Sequence, residues 1–230
     1  MDTLIELENV TYIYPDGSVG VEDVTLSVAE GERVALIGAN GSGKSTLILL
    51  MAALLKPTRG KVRVFGNRLS VEQLRRKIGV VFQNPDDFLF NPTVKDELEY
   101  VPRQLGWSER EIAEKVERIA KLFAIENVLE KPPFRLSGGE KKKVELASVL
   151  IYEPEVLLLD EPTANVDGRT RRLLVKILSD YDGTVVIATH ELDVAERLAD
   201  RFVILNSRRI FAVGGREVLD KKTLEEAGII

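Results

Sequence analysis

The feature that most restricts what this chain can fold into is the run Gly38-Ala39-Asn40-Gly41-Ser42-Gly43-Lys44-Ser45, followed by Thr46. It matches G-x-x-x-x-G-K-[ST] in full. Its surroundings matter as much as its letters. The apolar run Val34-Ala35-Leu36-Ile37 before it has the character of a buried strand, and Leu47 to Leu55 after it that of an apolar helix. In the order strand, glycine loop, helix, the glycines let backbone N–H groups curl round phosphates at a helix N-terminus, where unpaired donors and the helix dipole already favour an anion. Lys44 is then placed to reach β and γ phosphates and Ser45 to hold Mg²⁺. The plain alternative, a glycine turn with an incidental lysine, does not account for that context, and nucleotide binding is the strongest single inference.

Further short apolar runs read as buried strands at Val62 to Phe65, Ile78 to Phe82, Val156 to Leu159, Thr184 to Ala188 and Phe202 to Leu205. Most alternate with helical patterns, which predicts an α/β fold with a mainly parallel sheet. The first 30 residues differ: two alternating stretches separated by Pro15-Asp16-Gly17 predict an antiparallel pair. From about 85 to 152 the pattern is helical, with a capping box at Ser108 and Glu111 and an apolar face of Ile112, Val116, Ile119 and Phe123. One domain, 1–230, is expected: antiparallel β at about 1–30 and 60–68, a helical insertion at about 85–152, and an α/β core for the rest.

Composition narrows the function by exclusion. A net charge of −5 gives no global positive field for a nucleic-acid backbone, so no nucleic-acid partner is expected. With no cysteine and one histidine, disulfides, thiolate metal sites and His-rich metal sites are excluded. The longest apolar run, Leu47 to Leu55, is far short of a membrane span, and the N-terminal residues lack a signal-peptide pattern, so a cytoplasmic location is expected.

Two further segments carry chemistry. Val156-Leu157-Leu158-Leu159-Asp160-Glu161 sets two carboxylates at the C-terminal end of a buried strand, where α/β sheets bind ligands. Asp160 can serve Mg²⁺ and Glu161 can polarise a water, parts that phosphoryl transfer needs and the loop lacks. Leu136-Ser137-Gly138-Gly139-Glu140 precedes a helix expected over Lys141 to Ile151, a second place where N–H groups face an anion.

With this element the sequence resembles the ATP-binding-cassette (ABC) ATPases, whose hallmark is Leu-Ser-Gly-Gly-Gln, and the resemblance runs along essentially the whole chain. It implies a P-loop NTPase, RecA-like core and Mg-dependent ATP hydrolysis. It also implies a homodimer, or a heterodimer with a related ATPase, in which Ser137, Gly138, Gly139 and Glu140 act on the partner's ATP. By the same resemblance Tyr14 looks like the aromatic on adenine, and Gly38, Asn40, Gly41, Ser42, Gly43, Lys44, Ser45 and Thr46 like the phosphate loop. Gln83 looks like the glutamine that contacts Mg²⁺ and the attacking water, Asp160 like a carboxylate reaching the metal through water, and Glu161 like the general base. His190 looks like the switch histidine on the γ phosphate, and Asp167 like the aspartate that signals across the dimer. Each has a plainer alternative: Tyr14 closing a strand end, Gln83 beginning a loop, Asp167 capping a helix near Gly168.

Three departures from the family pattern stand out: Glu140 for Gln, Asn165-Val166 before Asp167, and Lys143 for Arg. A carboxylate at 140, one residue past the donors, would weaken ATP closure by charge unless it points away. The segment Phe82-Gln83-Asn84-Pro85-Asp86-Asp87-Phe88-Leu89-Phe90 is similar to that in ATPases of energy-coupling-factor importers for cobalt, nickel or vitamins, with Phe88 in place of their usual Gln. That likeness implies integral membrane subunits docking near Gln83 to Val94 and a peripheral position on the inner face of the cell membrane. Phe88, Leu89 and Phe90 are expected either to receive a partner's helix or to pack into the chain's own core. Lys141-Lys142-Lys143 is expected to be a solvated helix face. The alternatives are another ABC importer or exporter, a soluble ABC ATPase outside transport, and an ATP-binding scaffold without turnover, against which Glu161 and His190 argue.

Overall fold

The computed structural model describes residues 2–230, with nine strands and eight α-helices among them. The first sheet is antiparallel. Strands β1 (Thr3–Ile13) and β2 (Val19–Ala29) are joined by a turn in which Asp16 accepts the Ser18 N–H and Gly17 takes φ 84°, and β4 (Arg59–Val64) lies on the other edge of β1. The second sheet has the order β5-β6-β7-β3-β8-β9. Its strands β3 (Arg33–Ile37), β5 (Ile78–Val81), β6 (Val156–Asp160), β7 (Thr184–Thr189) and β8 (Arg201–Asn206) run parallel, and β9 (Arg209–Gly214) is antiparallel to β8.

The helices are α1 (Lys44–Met51), α2 (Val71–Lys77), α3 (Val94–Gln104), α4 (Glu109–Phe123), α5 (Gly138–Leu150), α6 (Gly168–Ser179), α7 (Leu192–Leu198) and α8 (Lys221–Glu226). The large sheet separates two main cores, and the pleat explains how. Along β3, Val34 and Leu36 face the first core, with Ile5, Leu7, Leu47 and Leu50 from the small sheet and α1. Ala35 and Ile37 face the second, with Phe123, Leu146 and Leu174 from α4, α5 and α6. A strand buried on both sides has no polar face, so its sequence reads as an unbroken apolar run.

Boundaries moved in several places. The helix expected to run through Leu55 ends at Met51, with Ala53 turning the chain at φ 56°, and the strand expected to reach Phe82 ends at Val81. The helix expected from Lys141 begins at Gly138, because Ser137 and Glu140 close a capping box around its first turn. The strand expected to reach Phe65 ends at Val64, and Phe65–Asn67 forms a single 3₁₀ turn in which Gly66 takes φ 61°.

The arrangement gathers one end of the large sheet. The glycine loop follows β3, Gln83 lies just beyond β5, Glu161 follows β6 and His190 follows β7. All leave the C-terminal ends of parallel strands, where an open α/β sheet presents its ligand crevice.

Candidate nucleotide site

A cleft of about 450 Å³ opens at that end. Lys44, Ser45, Thr46, Gln83, Asp160 and Glu161 line it, together with Tyr14 and Gly20. The volume lies within the range of small-molecule sites. Two glycines permit the close approach. Gly43, which precedes α1, sits at φ 104°, and a Cβ there would come within 2.7 Å of the Gly20 carbonyl oxygen. A Cβ on Gly20 would in turn meet Thr46 Cγ2 at 2.7 Å and the Tyr14 ring at 2.9 Å. The Tyr14 and Thr46 hydroxyls hydrogen-bond at 2.9 Å, and Tyr12 packs edge-on against the Tyr14 ring at 4.9 Å, which fixes the aromatic at the mouth of the cleft.

Charge also lines the cleft. Lys44 is buried and donates to the carbonyls of Gly38 at 2.7 Å and Ala39 at 3.2 Å. Burial pushes its ammonium below the usual lysine range, against the pull of Glu161 and Asp160. Burial likewise raises the Asp160 carboxyl, against a hydrogen bond from the Ser45 hydroxyl that holds it down. The Ser42 hydroxyl is buried with no hydrogen-bond partner. Lys44, a buried cation that lines the cleft and is satisfied only by its own loop's carbonyls, is a group that a polyanion would complete.

Glu161 is held in a particular way. Its backbone takes φ 48°, unusual for a residue with a side chain, while its N–H donates to the Ala188 carbonyl at 2.8 Å. One carboxylate oxygen pairs with His190 Nδ1 at 2.9 Å and the other accepts from the Thr189 hydroxyl at 3.3 Å. His190 therefore reaches the site through Glu161 and does not itself line the cleft.

Gly38 and Ser42 do not line the cleft, while Asn40, Gly41 and Gly43 do. Ser137, Gly138, Gly139 and Glu140 are absent from it altogether, at the start of α5. Glu140 does not point away. Its Oε2 accepts from the Ser137 N–H and hydroxyl, each at 2.8 Å, and these two bonds hold the carboxyl below the usual glutamate range. Asp167 caps α6, accepting from the Arg169 and Thr170 amides at 2.8 and 3.0 Å and from the Thr170 hydroxyl at 2.7 Å. Those bonds, the Thr170 hydroxyl first, lower its pKa to about 2.

Sequence reasoning missed several residues. Ser18, Val19, Gly20 and Arg208 line the cleft with no motif to mark them. The solvated-face reading of Lys141-Lys142-Lys143 is wrong at its centre: Lys142 is buried, its side chain 3% exposed, against a fully buried Glu145 at 3.0 Å. The cluster Phe88-Leu89-Phe90 divides. Phe88 and Leu89 pack on the chain's own core, while Phe90 is 67% exposed and meets Tyr100 edge-on.

Comparison with known proteins gives the family of the chain. The family model described as ABC transporter matches residues 21–164. The chain belongs to that family, as an ABC transporter ATP-binding subunit. It is 67% identical over 232 residues to a protein of Archaeoglobus fulgidus named provisionally as an ABC transporter ATP-binding protein, covering 99% of this chain and 98% of that one. It is 37% identical to the energy-coupling factor transporter ATP-binding protein EcfA of Carboxydothermus hydrogenoformans, covering 100% of this chain and 87% of the relative. Among solved structures, CbiO1 of Clostridium perfringens, described as part of the ABC transporter complex CbiONQ, superposes with a TM-score of 0.81 at 33% identity, over 98% of this chain and 94% of that one. A dimeric ATP-binding cassette in a post-hydrolysis state, bound to ADP and Pi, superposes with a TM-score of 0.82 at 29% identity, over 92% and 98%. Among the described residues no helix is long and apolar enough to cross a membrane.

Proposed function

We propose that this chain is the Mg-dependent ATPase of an importer of the energy-coupling-factor type, working as one of two cassettes that close on two ATP molecules beneath membrane subunits. One observation carries the two-cassette part. The chain bears two glycine-led helix starts, but Ser137–Glu140 lie outside the cleft that Lys44 lines, so the second start is free to serve the cleft of another copy or relative. Lys44 would hold the β and γ phosphates, and Tyr14 would stack on the base. Ser45, Gln83 and Asp160 offer hydroxyl, amide and carboxylate oxygens, a hard donor set that suits Mg²⁺ beside phosphates, where the ion would neutralise developing charge. Glu161 would take the proton of the attacking water, with His190 and Thr189 fixing its carboxylate.

The importer reading is supported by the resemblance of residues 82–90 and by relatives named EcfA. Phe90, with Tyr100, is the part of the Gln83 to Val94 segment that presents an aromatic face outward. Phe90→Asp should abolish co-purification with the membrane subunits in detergent while the melting temperature stays that of the unaltered chain, since the side chain is mostly solvent-exposed. Undiminished complex formation would refute docking through this face.

A further inference from the structure

Strand β5 ends at Val81, and the next backbone groups are completed by side chains instead of by a neighbouring strand. The Phe82 N–H donates to Glu145 Oε1 at 2.9 Å. Lys142 Nζ donates to the Phe82 carbonyl at 2.7 Å, the Gln83 carbonyl at 3.1 Å and Glu145 Oε2 at 3.0 Å. Both side chains come from α5, one turn apart, and both are buried. Burial raises the Glu145 carboxyl, and the Lys142 ammonium is the leading influence that holds it down.

A buried ion pair is a poor way to stabilise a helix against a sheet, because desolvation cancels most of the attraction and apolar side chains would serve as well. What apolar side chains cannot do is hold three backbone polar groups in one geometry. The pair acts on the two residues that lead from β5 into the cleft, and it does so from the helix that begins with Ser137-Gly138-Gly139. We propose that Lys142 and Glu145 are positioning residues for Gln83, a clamp that makes the cleft-side glutamine and the α5 start move as one body. Engagement of the α5 start by a second ATP-bound copy then sets where Gln83 stands in this chain's own cleft. The proposal rests on the reading of Gln83 as a contact for Mg²⁺ and the attacking water.

The test replaces both members together in the full chain, assayed as the ATPase dimer it forms. Lys142→Met with Glu145→Met removes the clamp but fills the space; because the Phe82 N–H and the Phe82 and Gln83 carbonyls lose their partners, the melting temperature should fall by a few degrees while the chain stays folded at the assay temperature. Affinity for ATP should stay within about twofold, while kcat drops about tenfold or more and the Mg²⁺ concentration for half-maximal rate rises. In a Gln83→Ala background the same two substitutions should change kcat by less than about twofold, because a residue that acts through Gln83 has nothing left to position. Lys142→Gln with Glu145→Gln, which keeps a donor for the carbonyls and an acceptor for the Phe82 N–H, should restore most of the rate. Equal losses in both backgrounds, or an unchanged kcat in the Met pair, would overturn the clamp. A Gln83→Ala chain with an unaltered kcat and Mg²⁺ dependence would instead overturn the reading of Gln83, and it shows before the pair is touched. Should the Met pair not fold, Glu145→Gln alone, which sets an amide N–H₂ against the Lys142 ammonium, goes through the same cycle with the same criteria.

Discussion

Helices α1 and α5 both begin beside glycine, at the polarity of a helix that attracts anions, yet they are finished in opposite ways. The start of α1 has no side-chain cap and no acid in its first turn; Gly43 in left-handed conformation turns the chain there, and a buried Lys44 adds positive charge. The start of α5 is closed by Ser137 and carries Glu140 in its first turn, so a carboxylate already lies against the first amides. Among the described residues the Gly138 and Gly139 N–H groups have no hydrogen-bond acceptor, so donors remain, but under a negative charge. An anion held throughout the catalytic cycle suits the first arrangement. A partner's phosphate that must arrive and leave suits the second, where binding competes with an internal anion.

Removing the cation of the first site should have the largest effect. Lys44→Ala deletes charge-assisted bonds to phosphate that are worth about 1.5–3 kcal/mol each, so ATP affinity should fall on the order of a hundredfold or more. Equilibrium binding of a fluorescent ATP analogue measures it. Near-normal affinity would mean that α1, like α5, is not a permanent anion site, and the contrast between the two helices would collapse.

How much of this contrast was readable beforehand follows from what each part is made of. The loop and the large sheet were readable because strands buried on both faces leave unbroken apolar runs, and because Gly43-Lys44-Ser45 must be those residues. Strand β9 was not. It alternates half-buried and exposed residues, and the turn before it uses Ser207 at φ 49° and Arg208 at φ 69°, where glycine or asparagine would have signalled a hairpin. Helix α3 was hidden in part by Pro102 within it. Tyr14, Gln83, Asp160 and Glu161 are legible in the sequence and share one cleft, whereas Arg208 reaches the same cleft from that unmarked turn. Three lysines in a row look solvated, and Glu145, three residues beyond Lys142, carries no sign in the sequence that both are buried.

The next effect depends on both helix starts at once. Glu161→Gln should bind ATP but hydrolyse it about 10²- to 10⁴-fold more slowly, the usual worth of a general base, so the ATP-bound dimer should accumulate. Adding Ser137→Arg places a long cation where the partner's phosphate would seat and should return the chain to monomer. If the natural partner is a related ATPase, the mixed pair is the species to measure. Light scattering with and without ATP distinguishes the outcomes, and a mass independent of nucleotide, or a dimer that survives Ser137→Arg, would remove the shared site from the account.

The smallest effect isolates the carboxylate. In Glu140→Gln the amide oxygen can still accept the Ser137 N–H and hydroxyl, so the capping box survives and stability should fall by no more than about 1 kcal/mol. What disappears is one negative charge at a helix N-terminus, a position where a charge is typically worth about 0.3–1 kcal/mol. Here that sign works against a second anion, so its removal should lower the ATP concentration that half-assembles the Glu161→Gln dimer by about two- to fivefold. Because the Ser137 bonds hold the Glu140 carboxyl below the ordinary range, the charge is present throughout neutral pH, and the gain should not depend on pH there. It should depend on salt, shrinking as added ions screen a partly exposed charge. An ATP midpoint that stays put at low salt would show that Glu140 only caps α5. The two helix starts would then differ in geometry alone, and the release of the partner's phosphate would need another source of repulsion.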